Sequence, residues 1–130
     1  MKNIFTLLIL LCIQQSYSQT KKINQEIDSL ITKGRIQLAL EKLNASEDSF
    51  EKYSKLASIY YQIDKTKKAL LNYKKALEIK EDYKTKVQLG RTYQKVKDYE
   101  NAIVIYENIL EKDSLNLLIK YQLGKIAYGI

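Results

Sequence analysis

Chemistry in a protein needs particular side chains held at particular spacings, and this sequence offers few of them. There is no histidine, which removes the commonest general base and the commonest metal ligand. The single cysteine, Cys12, lies inside an apolar run. Leu11 precedes it, where a lipoprotein signal wants a small residue, so lipidation is not expected. Gly34, Gly90, Gly124 and Gly129 are isolated and form no phosphate-cradling loop. The adjacent acids Glu47-Asp48 and Glu81-Asp82 fall at helix boundaries, where carboxylates suit the free N–H groups of a helix start. No catalytic residue, metal or cofactor is expected from these residues, and the surface is left as the place to look for function.

The bulk composition points to helices. The chain has 130 residues, four glycines, no proline and no tryptophan, so helix breakers are nearly absent. Net charge is +7, from 22 Lys and Arg against 15 Asp and Glu. The cations are spread out and interleaved with acids, as a solvated helical surface would have them, and nucleic acid is not an expected partner.

The chain repeats itself. "VQLG" at 87–90 and "YQLG" at 121–124 are 34 apart, while Leu56-Ala57 stands 33 before Leu89-Gly90. Ala69, Tyr73 and Ala76 keep the same step to Ala102, Tyr106 and Ile109. Within each unit the apolar residues recur at three- and four-residue intervals, which marks helical faces. Tyr53, Leu56, Ile59, Tyr60 and Ile63 make one face and Ala69, Leu70, Tyr73, Ala76 and Leu77 the next. Val87, Leu89, Tyr93 and Val96, then Ala102, Ile105, Tyr106 and Ile109, repeat the pair. Asp98 is placed to cap the last of these helices. Periodicity alone is also compatible with an ordinary helical bundle; the 33–34 step favours stacked hairpins. The small residues at 57, 90 and 124 are expected to let paired helices approach closely, facing Ala69 and Ala102.

These motifs resemble the tetratricopeptide repeat, whose 34-residue unit carries Leu-Gly-x-x-Tyr on one helix and Ala-x-x-x-Phe/Tyr-x-x-Ala on the next. Leu56, Ala57, Tyr60, Ala69, Tyr73 and Ala76 match one unit; Leu89, Gly90, Tyr93, Ala102 and Tyr106 match a second; Leu123 and Gly124 begin a third. Glu81 and Ser114 replace the family's proline, and Lys97 stands where a glycine is expected between helices. The resemblance implies an all-α, right-handed superhelical solenoid of antiparallel helix-turn-helix repeats. The units would be 50–82, 83–116 and a partial 117–130, with 19–49 as a degenerate first repeat that caps the array. "LNLLIKYQLGKIAYGI" has apolar residues on more than one side, including Leu118, Ile119, Leu123, Ile126 and Ile130, where a terminal repeat needs a polar face. A fragment of a longer array is the favoured explanation, and self-association through this open helix the other.

The family uses the concave face of its first helices to hold peptides. By register that face would carry Lys55, Ser58 and Tyr61, then Lys84, Gln88, Arg91 and Lys95, then Tyr121 and Lys125, with Gln94 and Gln122 among their neighbours. Ser54 and Ser58 stand where carboxylate-gripping members place Lys and Asn, so that clamp is not reproduced. A basic, tyrosine-bearing groove suits an acidic peptide. The first residues add a destination. Lys2, the apolar run Ile4–Ile13 and Ser16-Tyr17-Ser18 have the layout of a secretory signal peptide, 1–18, cleaved after Ser18. Ten apolar residues are too few to span a bilayer, which takes about 20. The expectation is a non-enzymatic bacterial scaffold, periplasmic or secreted, that binds a protein or peptide. The alternative is the sensory or interaction segment of a longer exported or membrane-anchored signalling protein.

Overall fold

The structure, a computed structural model, describes residues 1–129 and divides into two compact units, 1–45 and 46–130. Seven helices and no strand occur among the described residues. The fold class is all-α, as the sequence led us to expect.

The first unit pairs a long helix, α1 (Lys2–Thr32), with a short one, α2 (Ile36–Ala45). Ile27 and Leu30 pack with Ala39, Leu40 and Leu43 as its small core, and Lys42 pairs with Glu26 at 3.1 Å. The N-terminal part of α1 buries nothing: every residue from Met1 to Ile23 is exposed, the apolar run included. The helix continues unbroken past Ser18. No helix among the described residues is long and apolar enough to cross a membrane.

The second unit is a row of helices, α3 (Phe50–Gln62), α4 (Thr66–Ile79), α5 (Tyr83–Lys95), α6 (Tyr99–Lys112) and α7 (Leu117–Ala127). Each packs chiefly on its neighbours in sequence, α3 on α4, α4 on α5, α5 on α6 and α6 on α7. That is the stacked arrangement of hairpins rather than a closed bundle. Leu56, Ala57, Ile59 and Tyr60 of α3 meet Ala69, Tyr73 and Ala76 of α4 in the core, and Val87, Leu89 and Tyr93 with Ala102, Tyr106 and Ile109 repeat it. Caps start four of the five helices. Ser49 accepts from the Lys52 N–H, Asp82 from Thr85, Asp98 from Asn101 and Asn116 from Ile119, so each satisfies a backbone donor that the first turn leaves free.

The hairpin turns share one geometry. Asp64 (φ 59°) and Lys97 (φ 62°) take the left-handed conformation, as Gly34 (φ 72°) does in the first unit. In each turn the following N–H reaches back to close the helix: Arg35 to the Leu30 carbonyl, Lys65 to Tyr60 and Asp98 to Tyr93, all at 2.8–2.9 Å. This is the Schellman closure, in which a left-handed residue lets two late N–H groups satisfy orphan carbonyls. The position where the repeat pattern expects glycine is therefore filled by lysine in a glycine-like conformation.

Three packing expectations need correction. Ile63 and Val96 are 37% and 38% exposed because each is the residue that ends its helix, so the chain turns away before the apolar stripe can include it. Gly90 faces the Tyr106 ring and not Ala102: a Cβ there would lie 2.5 Å from Cε1 and 2.8 Å from Cζ of Tyr106, so the glycine is the seat of an aromatic ring. At Gly124 no atom of the described residues lies within 4 Å of that position. Of the apolar residues expected on α7, Ile119 is buried, Leu118 is exposed, and Ile130 lies outside the described residues.

Candidate peptide-binding groove

Within the second unit, α3 and α5 lie on either side of a groove of about 340 Å³. Phe50, Ser54, Lys55 and Ser58 come from α3, Lys84, Thr85 and Gln88 from α5, with Asp82 at the start of α5 and Tyr73 of α4 beneath. The geometry follows from the repeat: first helices of successive hairpins stand side by side, and the second helix between them supplies the floor.

Four of the nine site residues named from the sequence line this groove, namely Lys55, Ser58, Lys84 and Gln88. The other five are placed differently. Tyr61 and Lys95 form a tie between successive repeats. The Lys95 ammonium lies 4.5 Å from the centroid of the Tyr61 ring, and it pairs with Asp64 at 2.5 Å. Asp64 in turn raises the pKa of Lys95, holding it charged. Arg91, half-buried on α5, is outside the groove lining. Tyr121 and Lys125 lie on α7, beside each other, with the ammonium 5.9 Å from the ring centroid. Two glutamines expected on the same face turn inward: Gln94 accepts a hydrogen bond from the Tyr106 hydroxyl at 2.5 Å, and Gln122 is buried.

The sequence reading missed Phe50, Tyr73, Asp82 and Thr85. From the sequence Tyr73 reads as core alone; it is buried, which pushes its phenol up to about 12 and keeps it neutral. Asp82 is the one anion of the lining, and its carboxylate caps α5. One oxygen accepts from the Thr85 hydroxyl at 2.7 Å and the Thr85 N–H at 2.8 Å, and these bonds hold the carboxyl below its usual range. The signal for this pair was present as the acid-x-x-Thr spacing of a helix cap. Lys55 and Lys84 against the single Asp82 carboxylate leave the lining with a net positive charge, with serine, threonine and glutamine as neutral hydrogen-bonding partners.

A second polar cluster joins the start of α5 to the end of α6. Glu81, standing where the repeat pattern has proline, pairs with Lys86 and with Lys112, the latter at 2.5 Å, and the two ammonium groups hold its carboxyl down to about 2. Asn116 donates to the Tyr83 hydroxyl at 3.0 Å, tying the start of α5 to the turn before α7.

None of the curated proteins compared with the chain matches it. The family model described as tetratricopeptide repeat matches residues 53–83 and again 83–113, so over these two tandem segments the second unit is similar to tetratricopeptide repeat proteins.

Proposed function

We propose that the protein is an exported, non-enzymatic scaffold that holds an acidic peptide in the groove between α3 and α5. Stacked helical repeats create extended concave surfaces, and tetratricopeptide repeats generally serve protein–protein interaction. The observation that carries the reading is the groove itself: Lys55 and Lys84 line its two walls and outnumber its one carboxylate, Asp82, and neutral polar side chains fill the positions between. A peptide carboxylate entering there meets two cations from both sides, and an aromatic floor lies below it. Export is supported by the charged start, the apolar run and the small-x-small segment of residues 1–18. The uncovered apolar surface of that stretch fits a segment removed before the mature protein is used.

The test is selection of peptides from an acidic library on the protein, followed by titration against Lys55→Glu/Lys84→Glu. A groove ligand should lose at least tenfold in affinity in the double variant, with the melting temperature unchanged. Equal binding by the double variant would remove the groove from the function. N-terminal sequencing of the exported protein should begin at Gln19.

A further inference from the structure

Helix α5 carries the cations Lys84, Lys86, Arg91 and Lys95 and no acid. Two of them belong to the fold, since Lys86 pairs with Glu81 and Lys95 with Asp64. Lys84 and Arg91 form no ion pair among the described residues, although Arg91 is half-buried. Withdrawing a guanidinium from water is unfavourable unless an anion meets it, and arginine suits a carboxylate in two-point contact. Lys84, Gln88 and Arg91 stand at steps of four and three, so they share one stripe of α5. The first two line the groove, and Arg91 continues the stripe one turn beyond it. The phenols report the same continuity. Burial pushes Tyr73 and Tyr106 up to about 12; the Arg91 cation opposes this at Tyr106, and Tyr61 adds to it at both. Such effects need proximity, so Tyr61 stands near the groove floor at Tyr73 and near the Tyr106 hydroxyl that Arg91 also approaches.

The spacing of the two unpaired cations sets the spacing of their ligand. Seven residues of α-helix put Lys84 and Arg91 about 10 Å apart along the axis. A peptide in the polyproline II conformation has three residues per turn and advances about 9 Å over them, which returns the fourth side chain to the same side. A helical ligand would instead need acids seven residues apart, and a groove of about 340 Å³ is narrow for a helix about 10–12 Å across. We propose that the occupant of the α3–α5 groove is an extended peptide with two acidic side chains three residues apart, one held by Lys84 across from Lys55 and the other by Arg91. Gln88, between the two cations, offers a donor and an acceptor to the intervening peptide backbone. This inference rests on the groove reading above and adds to it the form and acid spacing of the ligand.

The probes are short blocked peptides of serine and glycine with two glutamates one, three or seven residues apart, each bearing an uncharged fluorophore and titrated by fluorescence anisotropy. The three-residue spacing should bind tightest. Arg91→Gln should weaken that peptide roughly tenfold, the loss of one charge-assisted contact. Replacing one glutamate of the peptide by glutamine should cost the parent protein as much, and the two changes together should cost no more than either. The peptide change is read on the unaltered protein, so a folding defect in the variant cannot imitate it, and Arg91→Lys, which keeps the charge, should retain most of the binding. Binding lost in Lys55→Glu/Lys84→Glu but indifferent to Arg91→Gln would overturn this inference and leave the groove reading standing. Tightest binding at the one- or seven-residue spacing would overturn it too, the latter giving the groove to a helix. Failure of every peptide to bind, or binding indifferent to all these variants, would remove the groove reading and this inference together.

Discussion

Replacing Gly90 with alanine should destabilise the second unit, although alanine is the better helix former. Within α5 the substitution gains about 1 kcal/mol of helix propensity. Against this, the new methyl carbon would sit 2.5 Å from Cε1 of Tyr106, well inside van der Waals contact. The ring has little room to retreat: Tyr106 is completely buried, and its hydroxyl is held by Gln94. Moving it overpacks the contact, at a cost of about 1–3 kcal/mol, and strains or breaks a hydrogen bond worth about 1 kcal/mol. The first hairpin shows what relaxation looks like, because Ala57 and Tyr73 coexist there, both buried. That hairpin has Tyr61 in place of Gln94, so no equivalent hydrogen bond pins its ring. The net expectation is a loss of about 1–3 kcal/mol, or roughly 5–20 °C in melting temperature for a unit of this size. Gly124→Ala is the control. With open space around it, the same change should be neutral or stabilising by up to about 1 kcal/mol. Thermal melts followed by circular dichroism would read both. A double-mutant cycle makes the cause specific: Tyr106→Leu removes the atoms that clash, so Gly90→Ala in that background should lose its penalty, giving a coupling of about 1–3 kcal/mol. Equal rises in melting temperature at both glycines, or an additive cycle, would refute the reasoning.

Two more outcomes follow from the geometry. Lys97 adopts the left-handed conformation at a cost of roughly 1 kcal/mol relative to glycine, so Lys97→Gly should raise stability by about 0.5–1 kcal/mol in urea melts, despite the extra freedom it gives the unfolded chain. The alkaline limb of the stability curve should carry the buried phenols: Tyr73 and Tyr106 are pushed up to about 12 by burial, against 10 for an exposed tyrosine. A folded-state pKa above the unfolded one means their contribution is complete below pH 10 and is lost as pH rises to about 12. Tyr73→Phe should flatten that limb, measured as urea midpoints against pH alongside tyrosinate absorbance.

The repeat was legible in the sequence because it is written in side-chain size and period. Leu89-Gly90 and Tyr93 recur against Leu56-Ala57 and Tyr60, and Ala69 with Tyr73 against Ala102 with Tyr106. A 3.6-residue period dictates which residues share a helical face, and a 33–34-residue period dictates that the faces are reused. Helix starts could be read for a similar reason: Asp98 caps through a bond to a donor only three residues away, so no distant contact is needed. Four groove residues could be placed by register alone, since Lys55, Ser58, Lys84 and Gln88 point where their helices must point.

Tertiary structure decided the rest, through contacts between residues far apart along the chain. Sequence gave Gly90 and Gly124 the same motif, but only the fold determines that one lies under a ring and the other is open. Lys95 reads as a groove cation until Asp64 and the Tyr61 ring, one repeat away, are seen to hold it. Gln94 is half-buried because the Tyr106 hydroxyl arrives beside it, and the Asp82 carboxylate, which could read as a free groove anion, caps α5 through Thr85. Period fixes the direction a side chain takes from its own helix; what it meets there depends on which helix packs alongside, and that choice is made by the whole unit.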